Sequence, residues 1–203
     1  SGAHLLEQGD CATRVTPAST FNIVVSLMGY DSGVLRDAHA PVLPFKPGYA
    51  DWIESWRTAT DPTGWIRNST VWYAQQVAAR IGAGGVRDYV ARFDYGNRDL
   101  RGDADAPDGE MSSWFNGSLQ ISALEQAAFL RKVVRRELGL TPHAYDTSAQ
   151  LLRLPALSNG WQVYGKTGTA NGALPDGSED LTRAYGWFVG WASKDGRTVV
   201  FAR

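Results

Sequence analysis

An apolar segment that begins near Thr16 constrains the fold more than any other part of this sequence. The apolar residues after it are spaced as on one helix face: Phe21, Val24, Val25 and Met28. Thr16 is suited to cap such a helix, and Pro17 is tolerated in its first turn. Ser19 lies in that turn, and Asn22 lies one turn further on above the same face. An isolated serine here is usually a capping residue, but at the positive end of a buried helix it can also become a nucleophile.

Length and composition set the broad class of protein. The 203 residues suffice for a single domain with a sizeable core, spanning 1–203. A formal net charge of −1 gives no electrostatic footprint for nucleic acid or an anionic membrane, and no apolar run is long enough to span a bilayer. Cys11 is the only cysteine, so an intrachain disulfide is excluded. Eight tryptophans suggest aromatic packing and an aromatic-lined cleft.

The order of the patterns predicts an α/β (α+β) fold, with a mainly helical lobe over 20–155 and sheet strands over 160–203. Helices are expected over 69–81, 86–93 and 122–138, the first closed by Gly82, Gly84 and Gly85 and the last opened by a Ser122–Glu125 capping box. Strands are expected over 161–168, 185–193 and 198–201, with a hairpin turn at 194–197 and a polar excursion over 171–182.

Four short motifs, each weak by itself, occur in an informative order. They are Ser19 with Asn22, Ser69-Thr70-Val71 at a helix start, Tyr95-Gly96-Asn97 followed by Trp114, and Tyr164-Gly165-Lys166-Thr167-Gly168-Thr169 beside Gly186-Trp187-Phe188-Val189-Gly190-Trp191. A Lys-Thr-Gly triplet alone is usually a surface turn. Together the motifs are typical of penicilloyl serine transferases, in which two serines and a Lys-Thr-Gly strand surround one cleft.

These motifs resemble those of the class D (oxacillinase-type) serine β-lactamases. The resemblance extends from about Cys11 to Phe201 and includes the segments 17–21, 93–97, 120–122, 164–168 and 186–188. It implies a β-lactamase/transpeptidase-like antiparallel sheet with a helical lobe. It also implies a periplasmic enzyme of antibiotic resistance that hydrolyses penicillin- and oxacillin-class β-lactams through a serine acyl-enzyme.

The resemblance further implies a role for each residue that takes part in the reaction. Ser19 would attack the β-lactam carbonyl, and the backbone N–H groups of Ser19 and Thr169 would hold the oxyanion. Ser69 would relay a proton toward the leaving nitrogen. Lys166 would supply positive charge to that relay and to the substrate carboxylate.

Other residues of these motifs would shape the site. By the same resemblance, Thr167 would hydrogen-bond the substrate carboxylate, and Gly168 would let substrate lie close to the strand. Val71 and Trp114 would wall the general base, although both are equally suited to plain core packing. The three histidines match no catalytic motif and no metal-ligand spacing is present, so no metal or other cofactor is expected.

Asn22 departs from the family pattern. The family has a lysine there, which in its CO₂-modified (carbamylated) form acts as general base. Asparagine has no basic nitrogen and cannot be carbamylated. Losing a general base commonly costs about 10²–10⁴-fold in rate, so turnover is expected to be impaired. The sequence is compatible with an engineered substitution and with a natural pseudoenzyme.

The ends of the chain depart from the family as well. The resemblance implies further N-terminal strands and a C-terminal helix, but only 18 residues precede Ser19 and the chain stops at Arg203. The family's carboxylate-binding arginine belongs to that C-terminal part, and Arg203 is not its equivalent. Missing covering elements would expose sheet edges, which predicts a possible homo-oligomer or strand exchange.

Three functions remain open from the sequence. The first is a class D β-lactamase whose turnover is limited by Asn22. The second is a β-lactam-sensing or penicillin-binding domain that acylates without deacylating, although Val71 favours the β-lactamase because sensors tend to have a more polar residue there. The third is a non-catalytic, partner-binding fragment.

Overall fold

A computed structural model describes residues 5–102, 118–173 and 179–203 of the chain. Within these ranges six α-helices precede three strands. The helices are α1 Asn22–Asp31, α2 Pro62–Asn68, α3 Val71–Ile81, α4 Ala83–Phe93, α5 Ala123–Val134 and α6 Pro142–Leu152. The strands are β1 Gln162–Ala173, β2 Glu179–Lys194 and β3 Arg197–Ala202. The predicted α+β fold is confirmed.

The apolar segment near Thr16 is buried, as its spacing predicts, but it begins differently. A short 3₁₀ turn, Ala18–Phe21, precedes α1, and no side chain caps either element. Thr16 is therefore not a helix cap. Every residue of α1 from Asn22 to Tyr30 is buried, so this helix runs through the core instead of along its surface.

The helices between 60 and 155 agree only in part with the sequence expectations. The capping box of Ser122 and Glu125 is present, and α5 ends at Val134, earlier than expected. The expected stop at Gly84 and Gly85 is wrong, because both lie inside α4 and only Gly82 separates α3 from α4. Two helices were not anticipated: α2, capped by the side chain of Asp61, and α6, capped by that of Thr141.

The strands form one antiparallel sheet in the order β1-β2-β3. The turn expected over 194–197 joins β2 to β3, with Asp195 and Gly196 at φ angles of 49° and 74°. Both β1 and β2 extend into the segment expected to be a polar excursion, because their ladder continues to Asn171 and Ala184 and resumes after a register shift. Lys166 of β1 stands opposite Val189 of β2.

The sheet and the helices pack around α1. The 3₁₀ turn contacts β1, α1 packs against α3 and α6, and α5 packs against β3.

An apolar groove of about 390 Å³ lies on the sheet and is lined in part by Val163, Phe188 and Phe201. No described strand pairs with the outer edge of β3, and self-association through that edge stays a prediction. None of the described helices is both long and apolar enough to cross a membrane.

Because Glu125 carries the capping carboxylate of α5, the free energy of unfolding should depend on pH in the acid range. Glu125 accepts hydrogen bonds from Arg14 and from Ser122, and the Arg14 contact is the largest cause that lowers the Glu125 pKa from 4.5 to about 2. Because the folded-state pKa is depressed, this stabilisation is present above about pH 4.5 and is lost as the pH falls toward 2. We expect Glu125→Gln to reduce the fall in unfolding free energy over this range, as measured by urea denaturation.

Glu137→Gln is the matched control for that measurement. Glu137 lies in an exposed pair with Arg135 at 3.6 Å, so its removal should leave the acid dependence close to that of the parent chain. Equal acid dependence in the parent and Glu125→Gln would contradict the prediction.

Candidate active site

A cleft of about 260 Å³ opens between the start of α1, the α2–α3 junction and β1. Seven of the residues singled out in the sequence line it: Ser19, Asn22, Ser69, Val71, Thr167, Gly168 and Thr169. Lys166 reaches the same place through its contact with Ser69. Trp114 lies outside the described residues, so its expected place in the wall stays a prediction.

Ser19 is presented to the cleft by the 3₁₀ turn. Ala18, just before it, has a φ of 49°, a left-handed conformation that costs a residue with a Cβ about 1–3 kcal/mol. The chain before the turn is fixed from β2, because Trp187 Nε1 and Tyr185 Oη donate hydrogen bonds of 3.0 and 3.2 Å to the carbonyl of Thr16. The strained turn is therefore held by the sheet and not by a local cap.

A buried network of polar side chains stabilises this turn. Thr20 Oγ1 donates to the carbonyl of Pro17 at 2.6 Å and accepts from Gln126 Nε2 at 3.0 Å. Tyr95 Oη donates to Gln126 Oε1 at 3.4 Å. No local sequence pattern marks this network, because Gln126 is a single polar residue in a helical pattern and its partner is 106 positions away.

Gly168 has a packing role in addition to the one the resemblance implies. A Cβ built on it would lie 3.1 Å from the Thr20 nitrogen and 3.2 Å from the Pro17 carbonyl oxygen. Strand β1 therefore lies close to the turn of Ser19, and a side chain at position 168 would crowd the backbone of that turn.

Ser69 is placed by an unusual backbone conformation. It is the residue after α2, with φ 53° and ψ 39°, and it does not open α3, which starts at Val71. Its Oγ accepts a 2.5 Å hydrogen bond from Lys166 Nζ, which also donates to the Thr167 carbonyl at 2.9 Å. This contact joins two motifs that are 97 residues apart.

Lys166 is buried, with 5% of its surface exposed. Burial disfavours the charged ammonium and lowers the pKa of Lys166 from 10.5 to about 8. The ammonium is still the main form near physiological pH, but a minor fraction of the amine, roughly a tenth at pH 7, is neutral, which is far more than for a solvated strand lysine.

Asn22 and Val71 form the inner part of the cleft, and they are 3% and 8% exposed. The Asn22 amide can donate and accept hydrogen bonds but cannot take up a proton. Among the lining residues that the structure describes, none has a carboxylate or an imidazole. The cleft therefore offers hydroxyls, an amide and, through Ser69, one amine.

Aromatic residues form the outer rim, in keeping with the tryptophan content. Trp52, Ile53 and Trp56 line the cleft, and Trp52 and Ile53 are 66% and 50% exposed. Trp56 is fixed at depth, since its Nε1 donates to the Asn68 carbonyl and its own carbonyl accepts from Trp72 Nε1. These rim residues were not singled out individually, because no motif marks them.

The Tyr95-Gly96-Asn97 motif is structural in its contacts. Asn97 Nδ2 donates to the Ser118 carbonyl at 2.8 Å, and its Oδ1 accepts from the Gln120 nitrogen at 2.9 Å. Gly96 has a φ of 54°, and a Cβ there would lie only 2.1 Å from the Gln120 carbonyl oxygen. The motif thus fastens the 118–120 segment to the end of α4.

Comparison with known proteins identifies the chemistry that such a cleft serves. Residues 5–203 match the penicillin binding protein transpeptidase domain family. The chain is 39% identical over 205 residues to β-lactamase OXA-9 of Klebsiella pneumoniae, an alignment covering 100% of this chain and 74% of that protein. Its fold matches the crystal structure of the OXA-427 class D β-lactamase with a TM-score of 0.94 and 46% identity, over 99% of this chain and 83% of the other. The chain belongs to the class D β-lactamase family.

Class D β-lactamases are serine hydrolases that open β-lactams through a serine acyl-enzyme and use no metal cofactor. The resemblance drawn from the motifs is therefore confirmed for the family, the fold and the type of reaction.

A sensor domain has the same fold. The C-terminal domain of the Bacillus licheniformis BlaR penicillin-receptor matches with a TM-score of 0.81 and 29% identity, over 95% of this chain and 72% of that domain.

In this class D β-lactamase, the hydrogen-bond network of Thr20, Gln126 and Tyr95 should contribute measurably to the free energy of unfolding. Thr20→Val keeps the side-chain volume but removes the hydroxyl, leaving buried polar atoms of Pro17 and Gln126 without this partner. We expect a loss of about 1–3 kcal/mol in unfolding free energy, measured by urea denaturation.

The control is Thr13→Val, which removes an exposed hydrogen bond of 2.6 Å to Asp10. It should change stability by no more than about 0.5 kcal/mol. A loss of stability in Thr20→Val as small as the one expected for Thr13→Val would contradict the prediction.

Proposed function

We propose that this chain reacts with β-lactams at Ser19 and forms an acyl-enzyme that is hydrolysed slowly. The observation that supports this most directly is the 2.5 Å contact of Lys166 Nζ with Ser69 Oγ in the cleft that Ser19 lines. Two hydroxyls and an amine at one cleft are the groups that acyl transfer from a lactam requires.

The reacting groups have distinct roles in this proposal. Ser19 Oγ attacks the lactam carbonyl, and the N–H groups of Ser19 and Thr169 stabilise the oxyanion, where one such donor is commonly worth about 3 kcal/mol. Ser69 passes a proton to the leaving nitrogen. Once protonated, Lys166 supplies positive charge near the substrate carboxylate, which Thr167 hydrogen-bonds.

The shape of the cleft supports binding of the rest of the substrate. Gly168 and its neighbours on β1 offer an extended backbone alongside which a ligand can lie. The aromatic rim at Trp52 and Trp56 offers apolar area to a hydrophobic side chain of the antibiotic. Val71, together with Trp114 as the resemblance has it, closes the inner wall.

Asn22 limits the second half of the reaction. Hydrolysis of the acyl-enzyme needs a base to activate water, and an asparagine amide supplies none. We infer that carbamylation, which would need a lysine there, does not occur at this position. The acyl-enzyme should therefore accumulate.

A second candidate is a β-lactam-sensing or penicillin-binding domain, in which a persistent acyl-enzyme is the functional state. The fold it shares with the BlaR penicillin-receptor domain and the amide at position 22 favour it. The buried apolar Val71 favours the β-lactamase. We propose a periplasmic location for the β-lactamase, on the strength of the family alone.

Intact-mass spectrometry with a penicillin tests the proposed function. The parent chain should gain the mass of one penicillin, and the adduct should persist or form slowly. Asn22→Lys should acylate and release product rapidly in bicarbonate buffer, with about 10²–10⁴-fold faster turnover.

Ser19→Ala is the control and should remain unlabelled. Fast turnover by the parent chain would contradict the assigned role of Asn22. A persistent adduct in Asn22→Lys as well would favour the sensor domain, and absence of any adduct would favour a non-catalytic fragment.

A further inference from the structure

Acylation of Ser19 requires a proton acceptor, and the part of the cleft that the structure describes holds no carboxylate or imidazole that could be one. Asn22, which lines the cleft together with Ser19, has no basic nitrogen. Another group lining the cleft leads to a possible acceptor. Ser69 is such a group, because its hydroxyl lines the cleft and is bonded to an amine behind it.

We propose that the neutral amine of Lys166 is the proton acceptor for acylation in this chain, and that the Ser69 hydroxyl conducts the proton to it from Ser19. This inference rests on the proposed acylation and deepens it. It gives Lys166 a function before the bond to the lactam forms, in addition to the positive charge that the protonated side chain later supplies.

The contact geometry suits a proton relay. Lys166 Nζ lies 2.5 Å from Ser69 Oγ and 2.9 Å from the Thr167 carbonyl oxygen. A neutral amine has two N–H groups and one lone pair, so it can donate to Thr167 and accept the Ser69 proton along the existing contact. Ser69 has a left-handed backbone, with φ 53°, and its side chain both lines the cleft and contacts the amine.

Each proton in the step has a source and a destination. As the Ser19 Oγ–carbonyl bond forms, the Ser19 proton passes to Ser69 Oγ, and the Ser69 proton passes to Lys166 Nζ. When the lactam C–N bond breaks, the ammonium returns its proton through Ser69 to the leaving nitrogen. The amine is then neutral again, and the ester at Ser19 has no base at Asn22 to activate water.

The surroundings of Lys166 favour this use. The side chain is 5% exposed, and it stands opposite Val189 in the sheet. Burial is the cause that lowers the pKa of Lys166 to about 8. From β2, the 3₁₀ turn, α1 and α6, no ionisable side chain among the described residues contributes to that shift. Near neutral pH the amine can therefore both lose and regain a proton.

The pH dependence of single-turnover acylation tests the proposal. With benzylpenicillin, the second-order acylation rate constant of the parent chain should rise about tenfold per pH unit in acid. It should level off above the pKa of Lys166, which is about 8. Lys166→Met should lose about 10²–10⁴-fold in this constant, together with the inflection. Ser69→Ala should behave similarly, because it removes the conducting hydroxyl.

Lys166→Arg separates proton transfer from simple charge. A guanidinium keeps the positive charge for the substrate carboxylate but cannot become a neutral acceptor at these pH values. Acylation by Lys166→Arg should therefore be as slow as acylation by Lys166→Met.

Lys194→Met is the matched control, because Lys194 lies outside the cleft and donates a 2.7 Å hydrogen bond to the Asn159 carbonyl. It should keep both the rate and the pH profile. Circular dichroism verifies the fold of each variant, and the parent profile is informative without any variant.

The outcomes distinguish the two proposals. Adduct formation with a rate that is independent of pH, or that rises without a plateau, overturns the role of Lys166 and leaves the acylation of Ser19 standing. Acylation by Lys166→Arg as fast as by the parent chain has the same meaning. Absence of an adduct at every pH overturns the proposed function, and the role of Lys166 with it.

Discussion

The close approach of strand β1 to the turn that carries Ser19 is the constraint on which the rest of the site depends. The absence of a side chain at Gly168 favours this approach, since a Cβ would lie 3.1 Å from the Thr20 nitrogen, which is closer than most such contacts. Strand alternation then buries Lys166 two residues earlier on the same side and leaves Thr167 and Thr169 exposed at the cleft. This backbone contact thus aligns the turn of Ser19 with the Lys-Thr-Gly strand.

Two strained residues and one buried amine lie at this junction. Ala18 and Ser69 both have φ angles near 50°, and conformations of this kind persist only where the surroundings determine them. Trp187 and Tyr185 fix one side through the Thr16 carbonyl, and α2 ends at the other. The apolar core around α1 supplies the stability that maintains this strain and the desolvation of Lys166. That same desolvation lowers the pKa of the amine, on which its proposed use as a base depends.

Much of the fold was predictable, because its signals are local. The capping box at Ser122, the hairpin turn at Asp195-Gly196 and the apolar spacing after Thr16 follow from turn chemistry and periodicity. The predictions were wrong where local propensity competes with context. Gly84 and Gly85 resemble a helix stop, yet they lie within α4, and Thr16 resembles a cap, yet its carbonyl is bound by β2. Helices α2 and α6 were missed although Asp61 and Thr141 cap them.

The sequence by itself determined the family, the order of the motifs and the loss of a basic side chain at position 22, because these depend on residue identity alone. The family resemblance implied that Lys166 lies near Ser69, but only the tertiary structure decided their 2.5 Å contact across 97 positions. It also decided that burial lowers the pKa of the Lys166 amine and that Gln126 supports the turn of Ser19. Desolvation and long-range hydrogen bonds depend on distances between segments remote in the chain. Those distances are set by how the helices and the sheet pack, and no local pattern encodes them.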